Sequence, residues 1–355
     1  PKNLPKMVKL DDCEADLDIT VENGTAKVSM KELAVNYDAS SVNFGTVSSF
    51  KFDGVELDNG KVTVADGIIT IALSAFGFNY GVHSVTIEDT NGNIISFNVD
   101  IITKTIMNAT DYSNWIIIAK ACESGANFYG GYFRLGANIS VSTMISFGRS
   151  STNGTTGFKG TFDGCGYAID GITATATSQN IGGFITCMTS TGVLKNIAFT
   201  NASVTLGNFL TSGGTGTIEN VYVNYASIAA NDSNYNGTIM NFNGTLKAVF
   251  IDASNATVGS YGANYRLIYG NGSPSCNGAY AIIPASGYTT PSNAINGNSI
   301  LYRARAYFAN YEELRTGTAA DSESNTIAKA REVMSTWDTT YWEFNDSIPQ
   351  FKTKG

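Results

Sequence analysis

The chain has 355 residues, a length that allows roughly two or three folded units. Charged residues form 15% of it, against about 25% in a typical soluble protein, and the net charge is −8. Apolar residues form 43%, enough for a large core, so a disordered chain is excluded. The negative charge, without any basic segment, argues against nucleic acid as a partner. The single histidine, His83, excludes histidine-rich metal sites and argues against a Ser-His-Asp triad.

No apolar run approaches the ~18 residues that a membrane-spanning helix needs, so we expect no such helix. The five cysteines are widely spaced and odd in number, and none of them forms a Cys-x-x-Cys pair. This spacing argues against a zinc site and against a disulfide scaffold, and it predicts free thiols. We expect no metal and no cofactor.

Residues 13–104 alternate between apolar and polar side chains in short segments, which is typical of strands. The clearest segments are residues 17–21, 48–52, 68–72, 84–88 and 95–99. Between them lie the pairs Asn23-Gly24, Asp53-Gly54, Asn59-Gly60 and Asn91-Gly92, which suit the positive φ angles of tight hairpins. The spacing predicts a β-sandwich of about seven strands, in which His83 is an ordinary residue at the start of one strand.

Two segments, one on each side of residues 131–300, are interpreted as caps that close the ends of the stack of strands predicted below. In residues 105–130, Thr110-Asp111 is the expected N-cap of a helix that ends before Gly125. Its apolar positions at helical spacing are Trp115, Ile118, Ala119 and Cys122. Residues 301–355 are the expected C-terminal cap, because the open end of a stack of strands invites aggregation.

A repeat in residues 131–300 determines the predicted fold of the second unit. Its three clearest copies begin at Gly192, Gly216 and Gly244, which are 24 and 28 residues apart. The positions that are apolar in every copy are Leu194/Ile218/Leu246, Ile197/Val221/Val249 and Phe199/Val223/Ile251. A weaker copy begins at Gly278. Because one coil cannot bury its apolar face alone, equivalent positions stack on successive coils, and the repeat predicts a right-handed, single-stranded parallel β-helix.

The segment Phe158-Lys-Gly-Thr-Phe-Asp-Gly-Cys-Gly-Tyr-Ala-Ile-Asp-Gly-Ile172 resembles the opening coil of pectin-lyase-like surface proteins of host-associated bacteria. Further segments that resemble this group are residues 132–139, 182–185, 192–197, 337–344 and 349–351. Cys165 is a departure, since asparagine is usual there. The resemblance covers about residues 105–355 and implies an exported bacterial protein that is extracellular or attached to the cell surface. Residues 81–87 and 91–93 resemble bacterial immunoglobulin-like modules, which implies an immunoglobulin-like β-sandwich over residues 13–104.

The pectin-lyase-like fold also carries polysaccharide lyases and glycoside hydrolases, so an enzyme of either kind is the alternative function. Such enzymes need clustered acids for calcium or paired carboxylates around the glycosidic bond. Between residues 138 and 300 the acids are Asp163, Asp170, Glu219, Asp232 and Asp252, and the bases are Arg149, Lys159, Lys195, Lys247 and Arg266. Asp163 and Asp170 lie at glycine turns, and Glu219 falls between two lysines of neighbouring coils, which indicates an ion-pair column. We therefore assign no catalytic residue.

Outward positions of the repeat place Ala198, Tyr222, Phe250 and Tyr280 in one column. Sugar rings stack on exposed aromatic faces, so Tyr222 and Phe250 are candidate carbohydrate-binding residues. Further candidates in Asn- and Gly-rich loops are Tyr235, Tyr261 and Tyr265. The alternative is that the C-terminal segment covers the column. We expect a monomeric, non-catalytic display or adhesion protein whose partners are host or dietary glycans or a surface protein.

Overall fold

The computed structural model describes residues 4–125, 127–146, 156–175, 182–230, 236–262, 265–270, 272–288, 305–308, 310–316 and 330–355. The chain is all-β with few helices, since about 11% of it is helical. It divides into two compact units. Unit 1 comprises Pro1–Thr105, Ile117–Glu123 and Gly131–Phe133, and unit 2 comprises Ile106–Ile116, Ser124–Gly130 and Arg134–Gly355.

Unit 1 is built of short strands. They are β1 (Met7–Lys9), β2 (Cys13–Asp16), β3 (Thr20–Glu22), β4 (Thr25–Lys27), β5 (Glu32–Asn36), β6 (Val47–Phe52), β7 (Val55–Glu56), β8 (Val62–Ala65), β9 (Ile68–Ala72), β10 (Gly81–Asp89) and β11 (Ile94–Ile102). Two 3₁₀ turns cover Asn59–Lys61 and Leu73–Phe76. One sheet has the order β1-β11-β10-β6-β7, with β2 also pairing with β11, and the others are β5-β9-β8 and β3-β4.

The hairpins of unit 1 follow the local turn chemistry. Asn23 and Asp53 have φ angles of 50° and 49°, and each is followed by a glycine with positive φ, so both predicted turns close hairpins. Asn59-Gly60 differs from the prediction because the Asp58 carboxylate accepts a hydrogen bond from Gly60 N and folds a 3₁₀ turn. His83 is held by the Asp53 turn, since its Nδ1 lies 2.6 Å from Asp53 Oδ2.

The rest of the chain contains a long helix, a short helix and a series of strands. The elements are β12 (Lys104–Ile106), α1 (Ala109–Ala121), β13 (Phe128–Tyr129), β14 (Tyr132–Leu135), β15 (Ile139–Ser140), β16 (Gly157–Phe158), β17 (Thr161–Asp163), β18 (Ala168–Asp170), β19 (Thr173–Thr175), β20 (Val193–Leu206), β21 (Thr217–Ile228), β22 (Gly237–Met240), β23 (Thr245–Asp252), β24 (Thr257–Val258), β25 (Arg266–Gly270), β26 (Ser275–Ile282), β27 (Arg305–Phe308), α2 (Tyr311–Thr316), β28 (Trp342–Asn345) and β29 (Ile348–Phe351). Residues 330–334 are also helical.

Unit 2 is a β-solenoid of about five turns. Strands β17, β20, β21, β23, β26 and β27 pair in this order, and every pair is parallel. The register places Leu194 beside Ile218 and Ile218 beside Leu246, so the repeat found in the sequence is confirmed as the stacking unit. The weaker copy at Gly278–Ile282 also stacks on the coils, since Tyr280 pairs with Phe250, but Gly278 is equivalent to Ala248 and not to the first glycine of the other copies.

A row of aromatic side chains runs through the interior of the solenoid. Successive edge-to-face contacts join the ring centroids of Phe162 and Phe184 at 4.8 Å, Phe184 and Phe199 at 5.1 Å, Phe199 and Phe209 at 5.3 Å, Phe209 and Tyr225 at 5.3 Å, and Tyr225 and Tyr265 at 6.0 Å. Trp115 of α1 packs on Phe184 at the beginning of this row. Such offset contacts add to the stabilisation from burial alone.

The N-cap of helix α1 lies two residues before Thr110, the first residue of the predicted N-cap. Asn108, not Thr110-Asp111, is the N-cap, because its Oδ1 accepts a hydrogen bond from Asp111 N at 3.0 Å. Asp111 in turn accepts a hydrogen bond from Met107 N at 2.9 Å, so its carboxylate reaches back to the residue before the N-cap. Asn108 lies only two positions before Thr110, and helical spacing alone does not locate an N-cap to within two residues.

At one corner of the solenoid, the backbone takes the left-handed (αL) conformation at four stacked positions. Asn196, Asn220 and Ala248 occupy equivalent positions with φ angles of 56°, 52° and 51°, and Gly278 follows with 88°. The asparagines form a buried ladder, in which Asn220 Nδ2 donates to Asn196 Oδ1 and Asn196 Nδ2 donates to Asp163 Oδ1, both at 3.0 Å. Asparagine suits this corner because its side chain tolerates positive φ and satisfies its neighbours.

The ladder ends where the C-terminal segment docks. Trp342 Nε1 donates a hydrogen bond to Asn220 Oδ1 at 3.2 Å and so takes the place of a further asparagine. Gly278 makes room for the neighbouring Trp337, since a Cβ on Gly278 would lie 2.7 Å from Trp337 Nε1. The segment predicted as a C-terminal cap therefore contributes a solenoid strand, β27, and packs against the side of the coils.

The charged column on the coils agrees in part with its interpretation. Lys195, Glu219 and Lys247 are in register on neighbouring strands. Lys247 Nζ lies 2.5 Å from Glu219 Oε1, whereas Lys195 Nζ pairs with Asp163 Oδ2 at 3.4 Å. Asp163 also accepts a hydrogen bond from Cys165 N at 2.8 Å, which confirms its role in its own turn. The five cysteines are free thiols, as predicted.

Candidate functional site

The aromatic column is a covered surface in this structure, not an open platform. Phe250 and Tyr280 have no exposed surface, and both belong to a cluster with Phe308, Trp337 and Trp342. Tyr222 is half-buried and packs against the same cluster. The ring of Phe250 is therefore not accessible to a sugar, because aromatic residues of the C-terminal segment pack against it. Of the two alternatives that the sequence left open, the structure shows the covered one.

Tyr222 nevertheless lines a cleft. A cavity of about 620 Å³ lies between the coils and the C-terminal hairpin β28–β29, and we call it the tyrosine cleft. Its lining residues are Tyr222, Tyr311, Ile348, Pro349, Gln350 and Phe351. The size falls within the ~300–1,000 Å³ of typical small-ligand sites. The rings of Tyr222 and Phe250 lie parallel at an interplanar angle of 5°, with centroids 6.3 Å apart, so Phe250 supports Tyr222 from the next coil.

A buried carboxylate holds the two tyrosines of the cleft. Asp252, at the end of β23, is 5% exposed. Its Oδ2 accepts a hydrogen bond from the Tyr311 hydroxyl and lies 3.5 Å from the Tyr222 hydroxyl. Its Oδ1 accepts hydrogen bonds from Ser254 N and Oγ at 3.0 and 2.7 Å. Because this carboxylate is saturated by its neighbours, it orients the tyrosines and is not itself the group that a ligand meets.

The electrostatics of the cleft keep both phenols neutral. Burial raises the pKa of Tyr222 well above its usual range, and the charge of Asp252 raises it further. Burial and the hydrogen bond to Asp252 raise the pKa of Tyr311 in the same direction. At physiological pH the cleft therefore presents two aromatic rings whose hydroxyl groups point to one acceptor.

The remaining sequence candidates fall in different places. Tyr265 is fully buried, because it is the last member of the interior aromatic row and its hydroxyl lies 3.4 Å from that of Tyr225. Tyr261 is 59% exposed on a turn with a φ angle of 54°. Tyr235 lies outside the described residues. The structure brings neither Tyr261 nor Tyr265 to Tyr222, so among the described candidates Tyr222 alone lines the tyrosine cleft.

Tyr311 and Phe351 were not predicted as site residues. Both follow the repeat by many residues, and no spacing in the sequence connects them with the coils. The sequence contains only indirect indications of this site. Pro349-Gln-Phe351 belongs to the closing segment of the resemblance, and Asp252 directly follows the third copy of the repeat. Neither observation identifies a contact between them.

Within the described ranges, no group of three or more His, Cys, Asp or Glu side chains is arranged to hold a metal ion. Among the helices described, none has both the length and the apolar character that crossing a membrane requires.

Comparisons of the chain with protein-family models, with curated proteins and with solved structures give no significant match. The assignment of a function therefore depends on the geometry of the chain itself. The features that bear on it are the parallel solenoid and the tyrosine cleft.

Proposed function

We propose that this chain is an exported bacterial surface protein that binds glycans without cleaving them. In this proposal unit 1 is an immunoglobulin-like module and unit 2 is a right-handed β-helix of the pectin-lyase-like kind. The parallel coils and the segment Phe158–Ile172 support the second assignment. The first is supported by the parallel pairing of both β1 and β2 with β11, at one edge of a sheet whose other pairs are antiparallel. The binding site is the tyrosine cleft.

The observation that carries the proposal is the fixed pair of tyrosines. Tyr222 comes from a coil and Tyr311 from α2, and Asp252 holds both hydroxyls. Rings fixed in this way lose little conformational entropy when a ligand binds, which favours affinity. Sugar CH groups stack on such rings while the sugar hydroxyls contact polar side chains at the edge of the cleft, such as Gln350.

The alternative, a polysaccharide lyase or glycoside hydrolase, has a weaker basis. Hydrolysis uses two carboxyl groups about the glycosidic bond. At the tyrosine cleft the described residues supply Asp252, whose oxygen atoms already accept hydrogen bonds from Ser254 and Tyr311. This arrangement supports a role for Asp252 in holding the site and gives no acid-base pair.

Glycan binding is tested on the full chain with an array of host and dietary glycans, followed by titration calorimetry on the best ligand. We expect Tyr222→Ala and Tyr311→Ala each to weaken binding about tenfold, since a ring contact contributes about 1.4 kcal/mol. Tyr37→Ala, which removes a half-buried tyrosine of unit 1, is the matched control and leaves affinity unchanged. Far-UV circular dichroism verifies that each variant is folded.

Other outcomes overturn the proposal in distinct ways. If no glycan binds, or if binding survives both cleft substitutions, the tyrosine cleft is not a glycan site. If Tyr261→Ala alone removes binding, the site is the exposed ring on the turn. If shortened or unsaturated sugars accumulate with time, the protein is an enzyme.

A further inference from the structure

A row of polar side chains crosses the coils and ends at the tyrosine cleft. We call it the polar row, and its members are Asp170, Thr200, Asn201, Asn224 and Asp252. Asp170 pairs with Thr200, and Asn224 pairs with Asp252, on adjacent parallel strands. Asn201 N lies 3.4 Å from Asn224 Oδ1, which connects the two pairs. The row therefore follows four successive strands of unit 2.

Except for the buried Asp252, the polar row lies at the surface of the coils. Asp170, Thr200, Asn224 and Asp252 directly follow the fully buried residues Ile169, Phe199, Val223 and Ile251, and Asn201 follows Thr200 where the register between β20 and β21 shifts. Because side chains alternate along a strand, the next position points away from the core. Asn201 is exposed, and Asp170, Thr200 and Asn224 are half-buried. After Asp252 the equivalent position is Ile282, so the polar row ends at the residue whose carboxylate meets the hydroxyl groups of Tyr222 and Tyr311.

Hydrogen bonds within the row fix its side chains. Asp170 Oδ1 accepts hydrogen bonds from Thr200 Oγ1 and Asn201 Nδ2, both at 2.7 Å. Asn224 Nδ2 lies 3.5 Å from Asp252 Oδ2, the oxygen that also receives the Tyr311 hydroxyl. Asp252 therefore joins the polar row to the tyrosine cleft. The amide groups of the row offer donors and acceptors, and its carboxylates offer acceptors, which is what the hydroxyl groups of a sugar require.

The dimensions and charge of the row indicate which sugars fit. Adjacent strands lie ~4.8 Å apart, so the row spans about 14 Å from Asp252 to Asp170. Tyr222 lies on the same strand as Asn224, and about 10 Å of the row, longer than one sugar ring, extends beyond that strand. Its charged members, Asp170 and Asp252, are both acids. A polymer of uronic acids would place its own carboxylates beside these aspartates, and the repulsion between the like charges disfavours binding.

We propose that the polar row and the tyrosine cleft form one extended groove for a neutral oligosaccharide of three or more hexose units, and that this groove rejects polyuronates. The inference rests on the proposed function, because it takes the tyrosine cleft as the end of the groove. The tyrosines stack on one sugar ring, and the polar row binds the hydroxyl groups of the following rings. A polymer of neutral sugars is thus favoured over the acidic polymers that pectin-lyase-like enzymes cleave.

The test measures affinity against chain length on the full chain. The probes are cello-, manno- and xylo-oligosaccharides of two to six units, with oligogalacturonates of equal length as the acidic comparison. We expect affinity for a neutral series to rise between two and about four units, and oligogalacturonates to bind at least tenfold more weakly. Asn201→Gly, which preserves the positive φ of 50°, and Asn224→Ala reduce the affinity for hexasaccharide about fivefold and leave disaccharide binding unchanged.

Asp170→Asn tests the charge argument separately. It retains an acceptor for Thr200 and removes one carboxylate, so the affinity for oligogalacturonate should rise relative to the affinity for the neutral chain. Affinity that does not depend on length, or wild-type binding of uronates as tight as that of neutral chains, overturns this inference. If the tyrosine variants abolish binding but the polar-row variants do not, the inference fails and the proposed function stands. If none of the glycans binds, both fail.

Discussion

Asn220 allows the corner ladder to be tested by one substitution. In Asn220→Ala, the buried Trp342 Nε1 loses its acceptor and Asn196 Oδ1 loses its donor. Each unsatisfied buried group costs about 1–3 kcal/mol. An alanine at a φ angle of 52° adds about 1 kcal/mol of backbone strain. We therefore expect the free energy of unfolding of unit 2 to fall by about 4 kcal/mol.

Asn220→Gly is the matched variant, because it loses the same hydrogen bonds but adopts positive φ without strain. It should be less destabilising than alanine by about 1 kcal/mol. All three tryptophans, Trp115, Trp337 and Trp342, belong to unit 2, so tryptophan fluorescence during guanidinium unfolding follows this unit alone. In a Trp342→Phe background, Asn220→Ala should cost about 1–3 kcal/mol less, since the two residues then no longer interact.

Two results would refute this reasoning. If Asn220→Ala changes stability by less than about 0.5 kcal/mol, the range of ordinary surface substitutions, the ladder does not stabilise the coils. If alanine and glycine are equally destabilising, the left-handed corner imposes no requirement on the side chain. A coupling energy of zero with Trp342 would show that the C-terminal segment does not depend on the ladder.

Two further predictions concern acid stability and thiol reactivity. Hydrogen bonds from Lys104 and Lys31 hold the pKa of Asp18 below its usual value, so their stabilisation of unit 1 is present above about pH 3.9 and is lost as the pH falls through the lower folded pKa. Urea unfolding followed by circular dichroism between about pH 5 and pH 2 should show a shallower loss for Asp18→Asn than for wild type; equal slopes would contradict the assignment. Burial raises the pKa of Cys122 and Cys276 to about 12, so native labelling by maleimide near neutral pH should be slow at both, with all five cysteines labelled after denaturation. Rapid native labelling of Cys276, measured by mass spectrometry, would contradict this burial.

The coils of unit 2 could be predicted because the signal is local and repeated. Leu194, Ile218 and Leu246 each follow a glycine by two residues, and the structure stacks them in register. Because the coils stack, each residue contacts the residue at the equivalent position of the next coil. The period of the repeat in the sequence therefore predicts these contacts directly. The hairpin at Asn23-Gly24 was predictable for the same reason, since its geometry is determined by the two residues that form it.

The tyrosine cleft was predictable only through Tyr222. Its partners Tyr311 and Phe351 come from a segment that does not repeat, and the sequence does not fix where that segment docks. Alternation placed Phe250 outward correctly with respect to the coil, but an outward residue is exposed only if no other segment packs on it. Tyr265 was misjudged for another reason: its Asn- and Gly-rich surroundings suggested a surface loop, whereas its ring extends the interior aromatic row.

The docking of the C-terminal segment has a consequence for the order of events during synthesis. Trp342 closes a ladder that Asn196 and Asn220 begin more than a hundred residues earlier, and Tyr311 reaches an Asp252 that has already left the ribosome. Since chains fold from the N-terminus as they emerge, the coils are complete while Phe250 and Tyr280 still face water. The tyrosine cleft therefore forms only after residues 311–351 have been synthesised and have docked. Before that point the coils expose an apolar stripe, so docking of this segment converts an aggregation-prone surface into a covered one.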